Sequence, residues 1–175
     1  MNISEKLLNF KSGNLLLSTK LENYEKLLVD IVGYFVNKNI AGVILSLNRS
    51  YSMLVKTFEA NKIDTKNITF IDSITYNVEK KEGNCIYLSR PFNPTTASIL
   101  ITQLAQQESN KFFIFDSLTT LLLSYNVTNT VKFFQFILPK LASQNKLSLT
   151  LAIDADVNDK PTNLVIKLCD EFITV

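Results

Sequence analysis

The chain has 175 residues, with 18 Lys and Arg against 16 Asp and Glu, a formal net charge of +2, and 46% hydrophobic residues. That length suits a single domain, residues 1–175, able to bury roughly 70% of the surface its unfolded form exposes, and no apolar run reaches the roughly 20 residues needed to span a bilayer. There is no histidine, so the commonest general base near neutral pH and the commonest metal ligand are both missing, which excludes serine–histidine and cysteine–histidine chemistry and histidine-held zinc.

The charges are spread along the chain with no block of one sign, which argues against a nucleic-acid or membrane partner held by electrostatics. The opening MNISEKLLNF lacks the basic and apolar regions of a signal peptide. Cys85 and Cys169 have no CxxC spacing and lie in or beside apolar runs, as expected of reduced residues in a cytoplasmic protein.

The first element is a short apolar strand, Leu15–Ser18, followed by the loop Ser18-Thr-Lys-Leu-Glu-Asn-Tyr24. Tyr24, Leu27, Leu28, Ile31, Val32, Phe35 and Val36 then recur at intervals of three and four, which predicts an amphipathic helix over Tyr24–Lys38. A strand at Val43–Leu47 leads through Asn48-Arg49-Ser50 to a helix at Ser52–Asn61, with Met53, Leu54 and Phe58 on its apolar face. Strands follow at Ile68–Ile71 and Cys85–Leu88. Asn93-Pro94 predicts a helix start, with an N-cap followed by proline at the first helical position, running to about Ser109. Phe112–Phe115 forms a strand ending in Asp116-Ser117. A helix is expected over about Val131–Gln144, kinked or interrupted at Pro139. Strands at Leu147–Ile153 and Phe172–Val175 complete the pattern. Most of these runs are continuous rather than alternating, as in parallel strands buried on both faces. The alternation of strand and helix predicts a three-layer α/β fold with right-handed crossovers and a mainly parallel central sheet, helices on both faces.

Ligands of such sheets sit at the carboxyl ends of the strands. The polar groups delivered there are Ser18-Thr19-Lys20, Asn48-Arg49-Ser50, Asp72-Ser73, Asp116-Ser117 and Asp154. Any strand must finish in something polar, so each has a plain alternative. Lys20 reads as a solvated loop lysine. Asp116 reads as a side-chain cap for a helix starting near Ser117-Leu118-Thr119, and Asp72 as the same device repeated.

Four passages together resemble the RecA/KaiC-like branch of the P-loop ATPases, and more closely the short archaeal KaiC-like proteins without a Walker A motif. They are the strand, loop and helix of Leu15–Val36; Gly42-Val-Ile-Leu-Ser-Leu-Asn-Arg-Ser-Tyr51 with its helix and Ile63-Asp64; Ile68-Thr-Phe-Ile-Asp72-Ser73; and Lys111-Phe-Phe-Ile-Phe-Asp116-Ser117-Leu118, similar to a Walker B strand. The likeness covers about Gly13 to Val175. It implies a RecA-like three-layer fold and a degenerate nucleotide site at Thr19, Lys20, Asn48, Arg49, Asp116 and Ser117.

The departures decide what that resemblance implies about activity. A P-loop, GxxxxGK[ST], curls successive backbone N–H groups around phosphates, and its lysine and hydroxyl serve the terminal phosphates and Mg²⁺. Ser18–Tyr24 contains no glycine, and offers Thr19 and Lys20 in the wrong order. Where the family carries catalytic glutamates the chain has Asn48 and Arg49, neither of which is a base at neutral pH. Asp116 retains a Walker B position without a phosphate to share its metal.

The expectation is a non-catalytic interaction or regulatory module: no catalytic residues, cofactor or metal, ATP hydrolysis lost, nucleotide binding weak or absent, and a protein partner or self-association. Tyr125, Phe133, Phe134 and Phe136 are contact candidates, with core packing as their alternative. A second reading is an atypical nucleotide binder using Lys20, Arg49, Arg90 and Asp116. A third, a flavodoxin- or receiver-type protein, is disfavoured because Leu15–Ser18 leads into no acidic cluster. The loop is expected to run straight into the helix, with Asn23 as N-cap and Tyr24 packed where a β-phosphate would lie.

Overall fold

The computed structural model describes residues 3–76, 83–89, 91–155 and 158–175. In chain order they form α1 (Ile3–Leu7), β1 (Gly13–Thr19), α2 (Tyr24–Asn37), β2 (Ala41–Ser46), α3 (Tyr51–Ala60), β3 (Ile68–Asp72), β4 (Cys85–Tyr87), α4 (Pro94–Ala105), β5 (Asn110–Asp116), α5 (Leu118–Ser124), α6 (Val127–Ser143), β6 (Leu147–Ile153), α7 (Lys160–Ile166) and β7 (Glu171–Thr174). The strands make one sheet in the order β4-β3-β2-β5-β6-β1-β7, parallel at every pairing. All seven expected strands are present within two residues of their expected ends.

Successive side chains of a strand point to opposite faces, and here both faces are covered. Phe113 and Phe115 of β5 enter the core beneath α4, α5, α6 and α7, whereas Phe112 and Ile114 enter the core beneath α1, α2 and α3. β1 divides the same way, Leu16 to one side and Leu15 and Leu17 to the other. This is the reason the strands read as unbroken apolar runs. The helices follow their periodicity: Tyr24, Leu27, Leu28, Ile31, Val32 and Phe35 of α2 are all buried. Asn93 caps α4 as its sequence predicts, accepting from the N–H groups of Thr95 and Thr96.

Three expectations need correction. Met53 is exposed; Leu54 and Phe58 are the fully buried residues of α3, and Tyr51 packs beside them against Phe70. α4 stops at Ala105 rather than near Ser109, because the Asn110 side chain donates to the Leu104 carbonyl at 3.0 Å and closes the helix end. α6 passes unbroken through Pro139 and begins at Val127, capped by Asn126. Phe134, Ile137, Leu138 and Leu141 are fully buried on both sides of the proline, which itself lies on the exposed face where a freed carbonyl can meet water. The short helices α1 and α7 have too few turns to show a period.

One close approach sets the spacing of β2 and β5. A Cβ on Gly42 would lie 2.5 Å from the Phe112 ring, which is itself stacked on Phe35 at 4.0 Å between centroids. Neither ring has room to move. Gly42→Ala is expected to destabilise the fold by about 1–3 kcal/mol, the ordinary cost of overpacking a core, with Phe112→Leu recovering part of the loss in the double variant, as read from urea unfolding midpoints.

Candidate functional site

Register brings the polar strand ends into one row. Ser46 of β2 pairs with Asp72 of β3 on one side and Asp116 of β5 on the other, so the residues after β2 emerge beside the end of the central strand. The Leu47 N–H donates to the Asp116 carbonyl at 2.7 Å, which continues the ladder by one residue. The chain then turns. The Ser46 hydroxyl donates to the Arg49 carbonyl, and the Ser50 side chain caps α3 by accepting from the Met53 N–H. That turn leaves Arg49 leaning back over β5.

Asp116 is fully buried, and its two oxygens face different neighbours. Oδ1 accepts a hydrogen bond from the Tyr24 hydroxyl. Oδ2 lies 3.6 Å from Nη2 of Arg49, an ion pair too long for a hydrogen bond. The other terminal nitrogen of Arg49, Nη1, reaches Glu25 Oε2 at 3.2 Å, at the solvent edge. Tyr24, Glu25, Arg49 and Asp116 thus form one chain of contacts from the interior to the surface. Burial pushes the Asp116 carboxyl above the usual carboxylate range, while the Arg49 guanidinium, the Tyr24 hydroxyl and the Asn48 side chain pull it back. Burial, followed by the neighbouring Asp116 carboxylate, holds the Tyr24 phenol well above its ordinary value, so it stays a proton donor.

The other anticipated residues are placed differently. The Asp116–Ser117 peptide is cis, and Ser117, not Asp116, caps α5, its oxygen accepting from the Thr120 N–H. The capping expectation for Asp116 is therefore wrong: the carboxylate points back toward α2. Asp72 does hold a helix start, but that of α3 from the neighbouring strand, accepting from the Tyr51 N–H at 2.7 Å and also from Ile74 and Thr75. Thr19 is buried and donates to the Val175 carbonyl at 2.9 Å, tying β1 to β7. Strand β6 lies between β1 and β5, so Thr19 and Lys20 leave the sheet one strand away from Asp116. Lys20 is exposed. Arg90 lies outside the described residues.

The loop after β1 contains no positive-φ residue among those described. Lys20 is extended, and Leu21–Asn23 forms a single 3-10 turn in which the Asn23 N–H returns to the Lys20 carbonyl at 3.0 Å. Those amides close on their own turn rather than converging on an anion. The chain enters α2 directly, as expected, but Asn23 makes no side-chain cap. The role of Tyr24 was hidden in the helix periodicity. The available signal was chemical: a tyrosine on a face otherwise built from Leu, Ile, Val and Phe needs a partner for its hydroxyl.

No family model matches the chain, and no curated protein matches it in sequence. Among solved structures it is similar to a KaiC-like protein of the hyperthermophilic archaeon Pyrococcus horikoshii OT3, with a TM-score of 0.71 at 11% identity, over 94% of this chain and 72% of that one. The fold is RecA/KaiC-like. At that identity the likeness concerns the path of the backbone, and this RecA/KaiC-like domain's own residues must carry any statement about its chemistry.

Removing Arg49 strands a buried carboxylate. Arg49→Ala is expected to cost about 3–5 kcal/mol near neutral pH. Because burial raises the folded-state value of Asp116, its contribution is complete in acid and is lost as pH rises through that value. The cost of Arg49→Ala should therefore shrink toward pH 4 and grow toward pH 7 in urea titrations. Glu25, two-thirds exposed, should matter by no more than about 1 kcal/mol when replaced by Ala.

Proposed function

We propose that this RecA/KaiC-like domain is a non-catalytic protein-interaction or regulatory module that does not turn over ATP. The observation that carries the reading is the buried position of Asp116 between Tyr24 and Arg49. A carboxylate serving as a metal contact must present a free oxygen toward water and ion. Here one oxygen is held by Tyr24; the other accepts no hydrogen bond, but it is buried and lies 3.6 Å from the fixed positive charge of Arg49. The guanidinium supplies the cation internally, and it arises from the position where the resemblance implies a catalytic glutamate.

The remaining requirements fail for independent reasons. The loop after β1 lacks the glycines and the left-handed backbone that an amide cradle requires. Arg49 is permanently protonated and cannot orient water as a base. Electrostatic stabilisation of developing charge is usually the largest single contribution to such catalysis, and general-base help contributes a further roughly 10²–10⁴-fold.

The alternative, an atypical nucleotide binder using Lys20, Arg49 and Asp116, has one observation in its favour. A cavity of about 460 Å³ opens at the ends of β1, β6 and β7, with Lys20 on its wall. Glu22 and Asp154 line the same cavity, so two carboxylates face any phosphate that one lysine would attract. The Arg49 guanidinium already lies between the Glu25 and Asp116 carboxylates.

Purified protein with Mg²⁺ and ATP should release phosphate no faster than buffer, and titration calorimetry should detect no binding at micromolar affinity. Arg49→Glu should not restore turnover, because the amide cradle stays absent. Hydrolysis that Asp116→Ala abolishes would defeat the proposal and favour the nucleotide-binding alternative.

A further inference from the structure

The two helical layers differ in charge. The layer of α1, α2 and α3 carries charges of both signs, among them Glu5, Lys6, Glu25, Lys26, Asp30, Lys56 and Glu59. In the opposite layer α7 carries Lys160 and is capped by Asp159, but its other three helices are almost bare. α4 and α5 contain no charged residue, and α6 contains only Lys132 and Lys140. In sequence, residues 91–107 and 117–131 hold no Asp, Glu, Lys or Arg. Uncharged outer faces are costly for solubility and are the compositional mark of the centre of an interface, where charged residues are depleted and aromatics enriched.

The exposed residues of this layer agree. Ile99 on α4 is 57% exposed and Phe136 on α6 is 56% exposed. They flank a groove of about 590 Å³ between the two helices, floored by Phe133, with the Thr95 and Thr102 side chains along one wall and Lys132 on the other. Of the aromatics singled out from sequence, Phe133 and Phe134 are buried and only Phe136 stands well out into solvent. Every charge that α4, α5 and α6 carry is positive, which decides between occupants. A second copy docking by the same face would set Lys132 and Lys140 against Lys132 and Lys140, with no acid on these helices to pair them. A partner with an apolar ridge and acidic flanks meets no such conflict.

We propose that the α4–α6 groove is a docking site for an acidic amphipathic helix of another protein, its apolar residues at helical spacing seated on Ile99, Phe133 and Phe136 and its flanking carboxylates paired with Lys132 and Lys140. A groove between two packed helices accepts a third helix in the same ridge-and-groove manner that packs α4 on α6. This rests on the reading of the domain as an interaction module, and names the surface and partner chemistry for it.

The probe is a synthetic helix of about 18 residues, five turns, with Leu on one face and Glu on the flanks, fluorescein-labelled and compared with a twin carrying Lys for every Glu. In low salt the acidic helix should bind roughly tenfold more tightly than its twin, the gap closing as salt screens the lysines. Amide NMR shifts should fall on α4 and α6. Phe136→Asp should abolish binding with the circular dichroism spectrum unchanged, and Lys132→Glu with Lys140→Glu should reverse the preference. Equal binding of the two helices, no binding by either up to about 1 mM, or shifts confined to other elements would overturn the proposal. So would a dimer in sedimentation that Phe136→Asp dissolves, which assigns the face to a second copy, or retention on anionic vesicles that the same change removes. ATP turnover would defeat the non-catalytic reading and leave the helix result standing, while failure of the helix with ATP inert removes this face alone.

Discussion

A carboxylate with no exposure to water, at the end of the central strand, constrains much of the carboxyl edge of this sheet. Desolvating a charge is expensive unless opposite charge and hydrogen bonds replace the water. For Asp116 the replacement comes from two separate loops: Tyr24 opens α2 after β1, and Arg49 follows β2. Each is fixed by local backbone features, the 3-10 turn before α2 and the Ser46 and Ser50 contacts around Arg49. The central strand therefore locks the loop after β1 to the loop after β2.

Away from that edge, the outer surfaces of the two helical layers differ. The two helical layers bury comparable cores but face solvent differently. α2 and α3 follow the usual arrangement of a surface helix, apolar inward and charged outward. α4, α5 and α6 also bury their apolar face, but Thr, Asn, Gln, Ile and Phe occupy their outward positions. The sheet treats the two layers alike, with Phe112 and Phe113 going to opposite sides from adjacent positions of β5. The asymmetry is therefore a property of the outer helix surfaces and is not needed by the fold.

Strand positions were legible in the sequence because burial on both faces makes a continuous apolar run, and seven such runs, most of them separated by helical patterns, leave few alternatives. The long helices were legible for a related reason, since a three-to-four repeat over several turns can only be satisfied by one face against a core. Pro139 does not interrupt α6, because buried residues on both sides of it hold the helix together. Phe133 and Phe134 could not be separated from Phe136 by type; only the packing of α6 on α4 and the sheet distinguishes them.

The site was legible only in part. The sequence by itself showed a loop after the first strand without glycine and a chain without histidine, and set Asn48-Arg49 where the resemblance implies an acid. It also determined the order of the strands and of the longer helices, because periodicity and burial are local in the chain. Only the tertiary structure decided what Asp116 does. Capping by Asp116 and capping by Ser117 are equivalent in sequence, and the choice depends on the register that sets β2 beside β5 and on the helix that brings Tyr24 across from β1. Those partners lie 92 and 67 residues away along the chain, and no local pattern encodes a contact whose energy comes from burying a charge against groups so distant.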